Sequence, residues 1–339
     1  MKLAIHHRSG SFSKYWIEYC ESNNIEWKEV DCYKSDIINQ LSDCDALMWH
    51  HFHISPKDPV FAKQLLFALE TSGKIVYPDF RSNWHFNDKL GQKYLLESIK
   101  APAVPSYAFY SKSDAIDWIR KTSFPKVFKL RGGSGSDSVR LVKTRRQASR
   151  IISKAYGRGF RQYHPLSNLK ERYRQHRMGK VGFIEVLKGL SRLFFPPQYA
   201  RILKRDRGYV YFQDFIPENT HDIRVTYVYN RCFALRRKVR AGDFRASGSG
   251  LIEYDMSMIP GEALSIAFRV ANKLKLQCAA FDFVMLEDKP LIVEVSYGFG
   301  YDADQFNHGY WDENLNYTPG TFDPYGWMVE GVIKEVQNT

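Results

Sequence analysis

The N-terminal part of the chain alternates short apolar runs with amphipathic ones. "MKLAIHH" reads as a strand, "FSKYWIEYCESNN" carries a helical period, and "IEWKEVDCY" alternates as a strand does. "DALMWHHFH" is a third strand, and the helical "PVFAKQLLFALETSG" leads into a fourth, "KIVYPD". Strands alternating with helices predict a parallel, doubly wound sheet, whose ligands sit beyond the carboxyl ends of the strands. Those ends hold His6, His7, Arg8, Ser11, His50, His51 and His53. Adjacent strand residues point to opposite faces, so at most two of the three histidines at 50, 51 and 53 converge. Loop or substrate contacts are the favoured reading over a metal site.

Further along, "NDKLGQKYLLESIK" is a helix ended before Pro102, and "SDAIDWIRKTS" is a second short helix with Ser113 as its N-cap. "FPKVFKL" and "SVRLVKT" are strands on either side of a Gly/Ser tract. Backbone N–H groups in such a tract can converge on an anion, and glycine allows close approach; the same tract also serves as the tip of a hairpin. The spacing is not GxxxxGK[ST], and no Gly-x-Gly-x-x-Gly opens a helix, so two nucleotide fingerprints are excluded. Strands resume at "GYVYFQDFI" and run on through "RRKVR". The helix "PGEALSIAFRVANKLK" separates them from "CAAFDFVML" and "PLIVEVSYGFG", a hairpin turning at "EDK". An aromatic-rich loop and a last helix, "WMVEGVIKEV", follow.

With 339 residues, 44% hydrophobic and 25% charged, the chain reads as globular, with length for two or three domains. No segment resembles a signal peptide or a membrane span, and the five cysteines are scattered without CxxC spacing. A reducing cytoplasm is expected, and a zinc site is not. The net charge of +12 is concentrated. From Arg140 to Arg207 there are nineteen Lys/Arg against three acidic residues, a local excess of sixteen, which leaves the remainder slightly acidic. Within this segment Phe183, Leu187, Leu190 and Phe194 recur at helical spacing between basic residues. An amphipathic helix packed on its own domain, a contact with anionic lipid headgroups and a contact with an acidic polymer all fit that pattern.

Three separated features point to one chemistry. "FDFVMLEDKPLIVEVS" ends two neighbouring strands in carboxylates, Asp282 and Glu294, which can hold a hard cation through oxygen ligands. An unpaired carboxylate is costly to bury in such an apolar run, and the metal reading is favoured over structural salt bridges. Arg224, Arg236, Arg237, Arg240 and Arg245 form a cluster, of which only those on one strand face can clamp a phosphoryl group or carboxylate. Lys129 ends its strand beside the glycine tract. A cation, a lysine, a backbone cradle and arginines are the parts that phosphoryl transfer requires.

On "NDKLGQKYLL", "FPKVFKLRGGSGSDSVRLV", "FQDFIPENTHDIRVTYV", "RRKVRAGDFR" and "FDFV" with "LIVEVS", the chain from about Lys89 to Gly300 resembles the ATP-grasp superfamily. The nearest pattern is that of its ribosomal-protein-modifying glutamate ligases. The resemblance implies ATP and Mg²⁺ as cofactors, with Lys89 and Lys129 on the nucleotide phosphates. Gly132, Gly133, Ser134, Gly135 and Ser136 would form the flap over them. Gln213, Asp214, Phe215 and Ile216 would be the hinge, its backbone at Asp214 and Ile216 reading adenine, with Glu218 near the ribose. Asp282 and Glu294 would be magnesium ligands. Arg237 and Arg245 would stabilise the transferred phosphoryl group and the acyl intermediate, supported by Asp222 and Arg224. Ser296 stands where the family has an asparagine ligand; the serine hydroxyl is a shorter and poorer donor, so the resemblance implies either water at the second metal position or a site with one tightly held ion. The basic insertion from about Gly159 to Arg207 lies outside the family's pattern. "SYGFGYDADQFNHGYWDENLNY" is similar to ATP-grasp proteins associated with bacterial surface-polysaccharide synthesis.

The expected fold class is α/β and α+β. A parallel α/β domain over 1–88 precedes a two-lobed ATP-grasp fold: a central lobe over 89–207 with the flap and the insertion, and a C-terminal lobe over 208–339 with the metal site and the aromatic tail. The expected activity is ATP-dependent ligation of a carboxylate to an amine through an acyl phosphate, with an amino acid or related amine and a uronic acid as the first substrate reading. Tyr297, Phe299, Tyr301, Tyr310, Trp311 and Tyr317 would then lie beside the acceptor site, although such clusters are as often local packing. Addition of amino acids to a peptide or protein tail is the second reading, and a nucleotide-responsive nucleic-acid-binding protein the third. The expected location is the cytoplasm, peripheral at the inner face of the membrane, where the insertion would meet a membrane surface or acidic polymer.

Overall fold

The computed structural model describes residues 1–52, 55, 57–133, 138–161, 165–177, 179, 182–193, 195, 205–239, 243–245, 251–300 and 303–338. His53, Ser134, Gly135, Ser136, Phe194, Arg240 and Tyr301 lie outside these residues.

Strands β1 (Lys2–Ile5), β2 (Glu26–Glu29), β3 (Ala46–Met48) and β4 (Ile75–Tyr77) form the expected parallel sheet, in the order β2-β1-β3-β4. Apart from Lys2 at the start of β1, its inner strands are apolar, because both faces are covered. Ala4, Leu47 and Val76 pack beneath the helix Asp58–Thr71. Leu3, Ile5, Ala46, Met48 and Tyr77 share a second core with Trp16, Val228, Phe233, Met328 and Val332. That second core joins the N-terminal sheet to the C-terminal part of the chain, and the last helix, Pro324–Gln337, lies against the helix Ser13–Ser22. Trp16 Nε1 donates to Met328 Sδ at 3.4 Å, and the Tyr19 hydroxyl donates to Glu330 at 2.9 Å.

The central lobe is an antiparallel sheet of β5 (Ser106–Phe109), β6 (Lys126–Lys129), β7 (Val139–Val142) and β8 (Val210–Asp214), ordered β5-β8-β6-β7. β6 and β7 pair from Lys126↔Val142 to Lys129↔Val139, so the glycine tract bridges a hairpin. The helix Lys112–Lys121 starts earlier than its sequence suggests. Ser111, not Ser113, is the N-cap: it is extended and its hydroxyl accepts from the Asp114 amide. Both serines precede the apolar period, and only Ser111 stands three residues before an unsatisfied N–H.

The C-terminal sheet runs β13-β12-β9-β10-β14-β15, with β11 also on β10. The strands are β9 (His221–Val228), β10 (Arg231–Lys238), β11 (Ile252–Glu253), β12 (Cys278–Leu286), β13 (Lys289–Ser296), β14 (Tyr310–Asp312) and β15 (Tyr317–Thr318). Tyr229 and Asn230, both at positive φ, form the two-residue turn between β9 and β10 that twisted hairpins favour. The helix Gly261–Leu274 covers one face, and the other face opens onto a cleft. The aromatic tail is mainly packing. Tyr297 is fully buried, Tyr310 meets Trp327 at 4.9 Å between ring centroids, and Trp311 meets Tyr317 at 5.0 Å.

Candidate functional site

A cavity of about 800 Å³ lies where the three sheets meet. The central lobe supplies an apolar slot at one end, with Val104, Val127, Phe215 and Val284 on its walls. The Asp214 amide is taken by Pro105 O at 2.9 Å, which leaves its carbonyl as the backbone group it can offer a base. The Ile216 amide, just past the strand, has no partner among the described residues. An acceptor and a donor two residues apart at the edge of a flat apolar slot suit one edge of a purine. The Gln213 side chain is on the cavity wall and donates to the Ser106 hydroxyl at 3.1 Å, and Asp214 is held by Lys126 at 2.6 Å. Glu218, at the left-handed φ of +63°, lines the same end.

Lys89 and Lys129 are both 5% exposed and face the cavity. Lys89 Nζ donates to Gly133 O at 3.2 Å and stands 3.4 Å from Glu294. The Lys129 ammonium has no hydrogen bond or ion pair among the described residues. Burial pulls its ammonium down to about 8, against the opposing pull of Glu294. Buried ammonium groups without sufficient counter-charge favour an incoming anion. The base of the flap is fixed by a residue that the sequence reading left unassigned. Asn87 Oδ1 accepts from the Gly133 amide at 2.7 Å, and a Cβ on Gly132 would meet the Asn87 side chain at 3.2 Å. Gly133 has φ of +94°, which side chains rarely adopt. The Asn87 signal was its place two residues before Lys89.

Asp282 and Glu294 sit directly opposite on β12 and β13, and a bulge follows between Asp282 and Phe283. The bulge decides which way Glu294 points. Simple alternation would put Glu294 on the same face as Ile292, which is fully buried in the core. The extra residue, Val293, turns Glu294 to the cleft while Ile292 stays inside. Asp282 is not bare, however. Arg224 grips both its oxygens at 2.7 and 2.9 Å, and Arg237 adds a third contact at 3.1 Å. Burial alone would raise the Asp282 carboxyl, but the two guanidiniums overcome it and hold the group well below the usual carboxylate range. The salt-bridge reading and the metal-ligand reading thus fall on the same carboxylate.

The arginines separate into three positions. Arg224 lines the cavity beside Asp282. Arg237 is behind it, 7% exposed and held to both oxygens of Asp222 at 2.7 and 2.6 Å, and is not on the cavity wall. Arg245 is held by Asp243 at 2.7 Å and reaches Val139 O at 3.4 Å, at the foot of the flap hairpin. Ser296 lines the cavity too, but its hydroxyl donates to Gly298 O at 2.8 Å. Two facing carboxylates beside room for phosphate oxygens are an oxygen donor set that suits Mg²⁺. Among the described residues no group of three or more His, Cys, Asp or Glu could hold a metal unaided.

The far end is built by the N-terminal sheet. His50 is buried against Phe12, ring centroids 3.7 Å apart, and its Nδ1 accepts from the Phe12 amide at 3.1 Å. Burial, then His51 and Arg8, keep the imidazole neutral, so the proton is on Nε2, beside Gly298. His51 instead binds Asn83 at 2.7 Å, so the neighbouring histidines do not converge. The Arg8 guanidinium, with its Nε buried, makes no hydrogen bond or ion pair among the described residues and lines this end with Phe12, Tyr15, Phe299 and Tyr325. Of the expected aromatic group, only Phe299 is on the cavity wall among the described residues.

This architecture, a parallel sheet followed by two antiparallel lobes closing on a cleft, is the ATP-grasp fold. Residues 198–305 match the RimK-like ATP-grasp domain. A RimK domain ATP-grasp protein from Sphaerobacter thermophilus aligns at a TM-score of 0.59, covering 98% of this chain and 100% of its own with 15% identity. D-cycloserine synthetase DcsG aligns at 0.59 over 99% and 100%, with 14% identity. D-alanine–D-alanine ligase from Bacillus anthracis aligns at 0.56 over 100% and 98%, with 13% identity. At these identities the likeness is one of fold. No curated relative matches the sequence.

Proposed function

We propose that the protein is an ATP-dependent carboxylate–amine ligase. A carboxylate oxygen attacks the γ-phosphorus of ATP, the bond to the β-phosphate oxygen breaks, and ADP leaves. The amine then attacks the acyl carbon, phosphate departs, and the amine's proton is lost to solvent or a nearby base. Carboxylate is a poor electrophile and phosphate a good leaving group, so the first step makes the second feasible. The observation that carries the reading is the convergence on one cavity of an apolar hinge slot, two buried lysines and the Asp282–Glu294 pair.

Lys89 and Lys129 neutralise phosphate oxygens at fixed positions, which costs no reorganisation during reaction. Asp282 and Glu294 would hold Mg²⁺, which when bound offsets charge on the phosphates. Arg224 and Arg237 orient Asp282, and Arg245 meets the transferred group from the flap side. The flap excludes water from the acyl phosphate, whose hydrolysis competes with amide formation.

The Arg8 guanidinium, without a hydrogen bond or ion pair among the described residues, suits an anionic group on the second substrate. The apolar wall of Phe12, Tyr15, Phe299 and Tyr325, whose rings stack on His50 and on one another, suits the carbon skeleton of a sugar or similar ring. A uronic acid paired with an amino acid combines both features, and remains our first substrate reading. Hydroxylamine tests the chemistry, because it intercepts acyl phosphates as hydroxamates. Incubation with Mg-ATP, hydroxylamine and a panel of uronates and amino acids is expected to give ADP and hydroxamate together for one carboxylate class. Arg8→Ala should raise KM for that carboxylate and leave the KM for ATP unchanged. ADP without hydroxamate across the panel would contradict the acyl-phosphate route.

A further inference from the structure

Among the described residues of the insertion in the central lobe are the helices Pro165–Arg177 and Phe183–Ser191, and each packs chiefly on the other. Gly189 makes the close contact possible: a Cβ there would lie 3.1 Å from Leu169 Cδ1. Arg172 donates to the Glu185 carbonyl oxygen at 3.1 Å and also binds its carboxylate, which Lys188 reaches at 2.7 Å. The shared acid is therefore neutralised within the pair.

Most of the apolar surface of the second helix stays outside that contact, although the Phe183 ring lies 5.7 Å from the His176 ring of the first. Phe183, Ile184, Leu187 and Leu190 are 59, 68, 49 and 49% exposed. Their spacing places them on one stripe, and none belongs to any of the four hydrophobic cores. Lys170, Arg177, Lys188 and Arg192 belong to the same pair and its flank, within the segment whose Lys/Arg excess is sixteen. This resolves the sequence alternatives against a helix buried on its own domain. A nucleic acid would use the charge but leave the apolar stripe in water. A bilayer surface with anionic headgroups uses both, since apolar side chains enter the acyl boundary while basic ones meet lipid phosphates. No helix among the described residues is long and apolar enough to cross a membrane, so the contact is one of surface attachment.

We infer that this helical pair is a docking surface for an anionic lipid bilayer, in which Phe183, Ile184, Leu187 and Leu190 insert and the surrounding Lys and Arg side chains bind headgroup phosphates. The inference is independent of the proposed ligase chemistry.

Flotation of the full chain with phosphatidylcholine vesicles, with and without phosphatidylglycerol, tests it. The protein should float with the anionic vesicles only, and less as salt is raised, because exposed charge is screened. The double substitution Ile184→Glu with Leu187→Glu should weaken partitioning by roughly tenfold or more, through lost apolar burial and added repulsion. The double substitution Lys188→Glu with Arg192→Glu should weaken it as well. The Ile184→Glu with Leu187→Glu variant should keep the wild-type melting temperature, since those side chains are in solvent, whereas the Lys188→Glu with Arg192→Glu variant also loses the ion pair to Glu185. Absence of flotation with anionic vesicles would overturn the inference. So would flotation that both variants preserve, or a concentration-dependent dimer abolished by Ile184→Glu with no vesicle binding, which would make a second copy the occupant.

Discussion

Arg224 and Asp282 face each other on adjacent strands, β9 and β12, and the guanidinium fork spans both carboxylate oxygens at 2.7 and 2.9 Å. A residue with the chemistry of a metal ligand is thus already paired and aimed before any cation arrives. Arg224→Lys keeps the charge but cannot hold two oxygens in one plane. Turnover measured by ADP release is expected to fall about tenfold or more with KM for ATP little changed, because the loss is one of orientation. Wild-type turnover in Arg224→Lys would contradict a positioning role.

Glu294 reaches the cleft through the bulge at Val293. Deleting Val293 restores regular pairing and leaves Glu294 directly after the core-facing Ile292, so alternation still turns the carboxylate to the cleft. Mg-ATP affinity, measured by calorimetry, should therefore survive the deletion. Glu294→Gln keeps the bulge but should lose Mg-ATP affinity by about tenfold or more, because a metal ligand loses its charge. A deletion that loses Mg-ATP affinity as fully as Glu294→Gln would count against this account of how Glu294 is aimed.

Glu335, on the last helix, lies where the N-terminal sheet meets the C-terminal sheet. The Gln277 side chain donates to it at 2.8 Å and to Val76 O at 3.1 Å, and accepts from the Asp79 amide at 2.8 Å. Burial raises the Glu335 carboxyl from 4.5 to about 7, although the Gln277 bond opposes the shift. Within that window the folded chain keeps a proton that the unfolded chain has released, so stability falls as pH rises and levels off above it. Glu335→Gln should flatten this slope, matching wild type in acid and exceeding it above neutrality by up to about 3 kcal/mol. Urea denaturation across the window checks both the sign and the size. A wild type that gains stability through the window would contradict this role.

The sequence made Lys129, Asp282 and the glycine tract legible because charged groups or glycines interrupt apolar runs where a plain strand would not. The parallel sheet was equally readable, since its buried strands carry no polar alternation. Cross-strand facts were not readable. The grip of Arg224 on Asp282 depends on the register between β9 and β12, and the direction of Glu294 on one bulged residue. Arg8 and His50 enter the cavity only because the N-terminal sheet packs beside the end of β13, a contact between segments far apart in sequence. The aromatic tail misled for the opposite reason: Tyr310, Trp311 and Tyr317 have the composition of a ring-binding surface, and local packing uses them first.

Lys129 carries the central claim, since it is buried beside the flap without a counter-ion among the described residues. The most direct measurement is the melting temperature of wild type and Lys129→Ala, with and without Mg-ATP. At about a hundred times Kd, binding adds roughly 2.7 kcal/mol to the native state. A magnesium-dependent rise in the wild type, largely lost in Lys129→Ala, is the predicted result. An equal rise in both proteins, or none in the wild type, would contradict the assignment of this cavity to ATP.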